Sequence, residues 1–274
     1  MAISDTLSSI ITNLSNAYSQ IGTMGGTIPL SKNMENLPSA IGTIPTGGGG
    51  ISPTDILEAT ITTISDSSAG FVAKYALYEN QSLLAASIPN VENIEQYAFY
   101  HCTSLESVYA PACKTIQDQA FRDCSMLSAI NLSSCNMIGS SAFYSCRSLE
   151  SFSMSAASGD NLRIWSDAFH SCWSLASVVI DITNISSPYS ANIYSSVFQN
   201  CSKLSALTII GGYMSIPPAS ANARSVFTGT PMSNSTYLGY FGSIYVDPSL
   251  VATYKSASGW SVYSARITSN PNML

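Results

Sequence analysis

Seven cysteines, two histidines and sixteen carboxylates are the side chains with which this chain could bind a metal, attack a substrate or move a proton. The spacing of the cysteines narrows those uses first. Cys102, Cys124, Cys146, Cys172 and Cys201 each stand three places after a Phe, and Cys113 and Cys135 stand 14 places after Phe99 and Phe121. There is no Cys-x-x-Cys pair, and a column with one thiol per repeat offers no tetrahedral set for zinc. A disulfide framework needs an even count. Free Cys packs as a small buried hydrophobe, so the register predicts seven reduced thiols in two interior columns, with no metal. His101 and His170 fall two and one places after their Phe residues. Out of register with each other, they read as solvent-facing repeat positions. A Ser-His-Asp triad needs its groups in one place, and serine is too abundant here for a chance Ser-x-x-Asp to mean anything. Asp118, Asp123, Asp160 and Asp167 are scattered in turns or near helix starts, without the pairing that glycoside cleavage requires. Gly211-Gly212 has neither the Lys nor the strand-to-helix setting of a phosphate loop. The expectation is a protein that is not an enzyme and binds no cofactor.

The elements that must position these residues form a repeat. Ala98-Phe99-Tyr100-His101-Cys102-Thr103-Ser104-Leu105 returns at Ala120 to Leu127 and at Ala142 to Leu149, with Phe99, Phe121 and Phe143 set 22 residues apart. The copies at Ala168 to Leu175 and Val197 to Leu204 keep the phrase while the spacing widens to 26 and then 29 residues. Worn copies begin at Ala76-Leu77, with Asn80 in the Cys place, and at Val226-Phe227, with Thr230-Pro231 after it. A fixed period of this size predicts a solenoid, and end repeats diverge because each has one neighbour only.

After each phrase comes an alternating tail: Leu105, Val108, Ala110; Leu127, Ile130, Leu132; Leu149, Phe152, Met154; Leu175, Val178, Ile180; Leu204, Leu207, Ile209. Alternation predicts a short strand with one apolar face, so about five such strands, one per turn, would stack into a parallel sheet. Ile94, Ile116, Ile138, Ile164 and Ile193 each precede a Phe by five places. That position suits an inward corner before a short helical turn carrying Ala-Phe.

The pattern Leu-x-x-Leu-x-Leu in a repeat of this length resembles leucine-rich repeats, and Ala-Phe-x-x-Cys-x-x-Leu resembles the BspA-type subfamily, over roughly residues 60 to 268. That subfamily occurs in bacterial surface proteins and in phage or prophage proteins of gut bacteria. The resemblance implies an α/β solenoid with a parallel sheet of short strands, a small helical element before it and a terminal cap after it. Ile244-Tyr245-Val246-Asp247-Pro248, Tyr254-Lys255 and Gly259-Trp260-Ser261 resemble such a cap. The residues agree with it: Asp247 can cap a helix whose first residue is Pro248, where a missing N–H costs nothing, and Leu250, Val251 and Tyr254 then share one face.

The first fifty residues lie outside the repeat. Leu7, Ile10, Ile11, Leu14, Ala17, Tyr18 and Ile21 make an apolar stripe, with Ser4 or Asp5 as N-cap, and predict a helix of about four turns. Alone it is marginal in water. It packs either on the rest of the chain or in a homo-oligomeric bundle between copies, a trimer by preference, and Leu7, Ile10, Ile11, Leu14, Tyr18 and Ile21 are the candidate attachment residues. Residues 31 to 41 resemble a short N-terminal element of phage and prophage structural proteins that precedes a Gly-rich linker and a display domain. The organisation expected is an attachment or oligomerisation element at 1–46, a Gly-rich linker at 47–52, a solenoid at 53–232 and a cap at 233–274.

Composition narrows the function classes. The chain is 46% hydrophobic and 9% charged, with net charge −6, and no Lys or Arg cluster neutralises a nucleic-acid backbone. No apolar run approaches the roughly 20 residues of a membrane span. The first residues lack the positive charge and apolar stretch of a secretory signal, which leads to the expectation of a protein made in a host cytoplasm that reaches the outside on a virion. Recognition would then use the sheet face, at Tyr109 and Asn131, or the insertions that widen the later repeats, at Asp160, Asn161, Tyr189, Asn192 and Tyr213. The expected function is a tail- or capsid-fibre-like virion protein. It would join other virion proteins through residues 1–46 and present its repeats to a host-surface protein or glycan. The alternatives are a BspA-type bacterial adhesin and a purely architectural decoration protein.

Overall fold

The computed structural model describes residues 63–156, 161–185, 190–216, 226–233 and 242–271. The chain enters as β1 (Thr63–Ser65) and β2 (Phe71–Val72). It continues through β3 (Ala85–Ser87), β4 (Asn93–Ile94), β5 (Ser107–Tyr109), β6 (Thr115–Ile116), β7 (Ala129–Asn131) and β8 (Met137–Ile138). Next come β9 (Ser151–Ser155), β10 (Leu162–Ile164), β11 (Ser177–Asp181), β12 (Ala191–Ile193) and β13 (Ala206–Ile210). β14 (Ser243–Val246) and β15 (Ile267–Ser269) end it.

The strands pair in parallel across turns, so the chain coils as a solenoid. The alternating tails form β1-β3-β5-β7 and β9-β11-β13-β14-β15, joined by one bridge between Leu132 and Met154. The isoleucine corners differ from expectation, because they are themselves strands and build a second sheet, β2-β4-β6-β8-β10-β12. Each corner must satisfy its backbone against the neighbouring turns. Staying extended achieves this: Gln117 N donates to Ile94 O at 2.9 Å and Gly139 N to Ile116 O at 2.7 Å.

The Ala-Phe segment is likewise not helical. Its amides alternate in use. Ala98, Tyr100 and Cys102 donate to the carbonyls of Glu95, Tyr97 and Phe99 within the turn, while Tyr97, Phe99 and His101 donate to Asp118, Ala120 and Arg122 of the next. A helix would spend every amide internally; this arrangement keeps half of them for stacking. It requires left-handed backbone at two places per repeat, such as Tyr97 (φ 61°) and His101 (φ 57°), and Gly229 (φ 74°) takes the second place in the last copy. None of the twelve described non-glycine residues of this kind is β-branched, as the sterics of that region demand. Ser171→Val is therefore expected to lower the unfolding free energy by about 1–2 kcal/mol, and Ser171→Gly is not; urea titration of both variants checks this.

The core is a set of columns. Phe99, Phe121, Phe143, Phe169, Phe198 and Phe227 are fully buried, and successive rings stack at 4.8, 5.2, 5.1, 5.6 and 5.7 Å. Leu77 takes the Phe place in the first copy and is also fully buried. At the far end Asp247 Oδ1 accepts from Ser249 N at 2.8 Å, and Pro248 opens a short 3-10 turn where the sequence predicts a helix starting at this residue. α1 (Val251–Ser256) follows and buries Tyr254. Trp260 and Tyr263 are buried against Phe227, at 6.3 and 5.0 Å between ring centroids.

Candidate functional site: thiol columns and recognition surfaces

The cysteines are absorbed by the core. All seven thiols are free and buried. Five have a role that register alone did not reveal. Cys102, Cys124, Cys146, Cys172 and Cys201 donate S–H to the carbonyls of Leu77, Phe99, Phe121, Phe143 and Phe169, each one turn back, at 2.9 to 3.2 Å. The Cys column thus stitches turns together as well as filling space. Burial pushes the Cys113 thiol up to about 12 and holds those of Cys124, Cys135, Cys146 and Cys172 well above the usual thiol range. A thiol held protonated is a poor nucleophile and a poor metal ligand. Among the described residues no three His, Cys, Asp or Glu side chains are grouped as a metal site, and no described helix is long and apolar enough to cross a membrane.

His170 is not solvent-facing, contrary to its place in the sequence pattern. Its side chain is 12% exposed, with Nδ1 at 3.1 Å from Asp167 Oδ1 and Nε2 at 3.2 Å from Asn200 Nδ2. An amide nitrogen only donates, so Nε2 accepts and Nδ1 carries the proton given to Asp167. Tyr144 covers the ring at 4.8 Å. The Tyr144 and Asn200 contacts exist because the solenoid brings residues 26 and 30 apart in sequence into adjacent rungs, which spacing within one repeat does not reveal.

On the sheet face Tyr109 and Asn131 are register partners on β5 and β7, and both are exposed, Tyr109 by half. Their neighbours Ser107, Ala129 and Ser151 are small. Asn161 is exposed just before β10. Asp160 and Tyr189, and Leu7, Ile10, Ile11, Leu14, Tyr18 and Ile21, lie outside the described residues. Asn192 belongs to a strand rather than to an inserted loop: it sits on β12 beside Arg163, and its Oδ1 accepts from Ser215 Oγ. Tyr213 is half-buried, 5.1 Å from Tyr254, in a segment pinned from the C-terminal side. The Tyr254 hydroxyl accepts from Met214 N at 2.9 Å and donates to Gly212 O at 3.1 Å, and Trp260 Nε1 donates to Met214 O at 2.7 Å. Tyr254→Phe leaves the buried Met214 amide without its partner, which is expected to cost about 1–3 kcal/mol in chemical denaturation.

A surface not anticipated from the sequence runs along the turns. Tyr75 stacks on Tyr97 at 5.0 Å and Tyr78 on Tyr100 at 4.9 Å, and the two pairs meet edge to face. The column continues with the Arg122 guanidinium 4.6 Å from the Tyr144 ring, and His170 beyond it. Close by, Arg147 lies 4.5 Å over the ring of half-exposed Trp173. Burial, and then the neighbouring Glu79, push the Tyr78 phenol up to about 12. The signal was present: these tyrosines repeat 22 residues apart, in step with Phe99 and Phe121.

Comparison with known proteins places this geometry. The family described as BspA type leucine-rich repeat region matches in six copies, over residues 71–205 and 164–237. Among solved structures, a leucine-rich repeat protein of T. pallidum is 25% identical, with a TM-score of 0.42 over 56% of this chain and 74% of that one. A leucine-rich cell surface protein of Faecalibacterium prausnitzii is 23% identical, with a TM-score of 0.45 over 69% and 64%. A leucine-rich repeat protein of Bacteroides ovatus is 16% identical, with a TM-score of 0.30 over 67% and 63%. The chain thus spans less than two thirds of the latter two. No curated protein matches it.

Proposed function

Because this chain belongs to the BspA-type leucine-rich repeat family, we propose that it is a non-enzymatic display protein, a fibre-like structural component of a virion whose repeats face a host surface. The observation that carries the reading is a division of labour within each repeat. Every in-register Phe and Cys, together with the Ile of the second sheet, is buried in one continuous core, whereas the aromatic strip on the turns remains partly exposed. Rigid scaffolds that carry such side chains outside their cores serve binding.

In this reading residues 1–46 join other virion proteins or form a homo-oligomer, a trimer by preference, and 47–52 act as a joint. Residues 53–232 are the solenoid. The segment 233–274 is its cap, a role supported by Trp260 and Tyr263 against Phe227. Nucleic acid and membrane insertion play no part, and no reaction is catalysed. A bacterial surface adhesin is the second reading, and membership of the same family favours it equally.

Antibodies against the full-length protein separate the two. Labelling of intact particles and block of their adsorption to host cells is the expected result. Labelling of the bacterial envelope with none on particles would establish the adhesin instead.

A further inference from the structure

At the C-terminal end of the solenoid Phe227 is buried under Trp260 and Tyr263. No described residue does the same at the other end. The first described rung, residues 63–80, has a neighbour on one side only, because β1 and β2 are the outermost strands of their sheets. It meets the second rung through Glu95 N to Val72 O at 2.9 Å and Leu77 N to Ala98 O at 2.7 Å. An end rung with nothing beyond it leaves its inward side chains open to water on that side. Yet Ala69, Val72, Ala76 and Leu77 are all 0% exposed. We propose that residues 51–62 of the same chain cover this N-terminal face as a cap. The inference goes beyond the display reading and is independent of whether a virion or a cell carries the protein.

The backbone defines the kind of cover required. Along the Ala-Phe turns the carbonyls of Gln96, Ala98 and Tyr100 receive the amides of Tyr75, Leu77 and Glu79. By register the first rung's carbonyls on Lys74, Ala76 and Tyr78 point the same way, and they receive no amide from any described residue. At the second sheet the sense reverses. Glu92 and Glu95 donate to Gly70 and Val72, while their own equivalents, the amides of Gly70 and Ala73, find no described acceptor. Ala76 is fully buried, and a buried carbonyl needs a donor. The face therefore calls for donors over the turn, acceptors at the strand and apolar side chains between them. A polypeptide segment laid on the edge supplies all three.

Connectivity chooses the segment. β1 begins at Thr63 on the uncovered edge itself, so the chain just before it starts from this face. The other stretches outside the described residues, at 157–160, 186–189, 217–225, 234–241 and 272–274, all follow β9. That strand lies beyond β3, β5 and β7 along the stack, too far for them to return. The 22-residue register reaches back to Ile61, in the place of Leu83 and Leu105, and stops there, with Asp55 in the Phe place and Glu58 in the Cys place. Ile51, Ile56 and Leu57 remain as apolar groups outside the register, as a divergent end unit requires.

Hydrogen exchange of the full-length protein, read by mass spectrometry, tests this. Amides of residues 51–62 are expected to exchange at least about a hundredfold more slowly than in the unfolded chain, and peptides spanning Val72 to Leu77 to be protected with them. In full-length protein carrying both Ile56→Asp and Leu57→Asp, these protections should fall by about tenfold or more, while peptides spanning Phe198 to Phe227 keep theirs. Free exchange of residues 51–62 in the parent overturns the proposal, and so does unchanged protection of Val72 to Leu77 in the variant. Should the variant fail to fold, the parent's pattern alone decides. Repeating the measurement on dilution, with mass followed by light scattering, identifies which copy supplies the cover. Protection that persists in the monomer is expected. Protection lost as copies separate would assign the cover to a second copy and overturn the proposal.

Discussion

Between pH 9 and about 12 the protein is expected to lose stability steeply, because its buried thiols resist ionisation that the unfolded chain undergoes freely. An ordinary thiol titrates near 9.0, whereas burial pushes Cys113 up to about 12, and Cys124, Cys135, Cys146 and Cys172 move in the same direction for the same reason. Below the ordinary value both states hold their protons, and the stabilisation is complete. Above it the unfolded state releases protons that the folded state keeps, so each of these thiols removes about 1.4 kcal/mol per pH unit until its folded value is reached. The geometry gives the cause. A thiolate at Cys146 would lose its bond to Phe121 O and set a charge against the carbonyl it had served. The buried phenol of Tyr254, also raised by burial, adds to the slope above its own ordinary range. Urea unfolding at pH 8, 9 and 10 measures the effect, and Cys146→Ala should reduce the slope by one thiol's share. A stability that is flat from pH 8 to 10 would contradict the account.

Phe121→Ala is expected to cost about 3–5 kcal/mol, the range for truncating a buried aromatic ring. Phe121 stands between Phe99 at 4.8 Å and Phe143 at 5.2 Å, nearly parallel to both, so truncation removes two stacked contacts and leaves a void that neither neighbour fills without leaving its own rung. Because a solenoid turn contacts only its neighbours, a weak rung in the middle also uncouples the two halves. The transition should broaden as well as shift. Tyr109→Ala, on the exposed sheet face, should stay within about 0.5 kcal/mol of the parent. Equal losses at the two positions would mean that register does not mark the core.

The two effects also show what could be read in advance. Phe99, Phe121 and Phe143 declared themselves by a fixed interval and the five cysteines by their constant place three residues after a Phe, and register is all a solenoid needs to fix depth. The second sheet was not legible. Ile94 and Ile116 announce burial, but two-residue strands carry no alternation to detect, and their ladder exists only once turns are stacked. The helical turn failed for a related reason. Tyr97 and His101 adopt left-handed backbone because amides are shared between turns, a cost imposed by stacking that local propensity does not register. The Cys-to-carbonyl bonds were likewise beyond sequence, since packing and hydrogen bonding ask for the same residue.

The surfaces follow the same rule. Tyr109 and Asn131 were legible as a pair because strands preserve register. Tyr75, Tyr97, Tyr78 and Tyr100 repeat just as regularly, yet the helical reading of their segment hid the fact that they would line up as rungs. Asn192 was assigned to an insertion because the spacing widened there, although the extra residues are accommodated outside β12. Tyr213 lies where expected, beyond β13, but Tyr254 and Trp260 hold that segment down from a part of the chain some 40 residues away.

Counting thiols in the native and unfolded protein, without reductant, tests the central claim most directly. If the repeats stack as one solenoid with both cysteine columns inside, a thiol reagent at neutral pH should find essentially none in the folded protein and all seven once guanidinium is added. Rapid reaction in the native state, or fewer than seven thiols on unfolding, would contradict it.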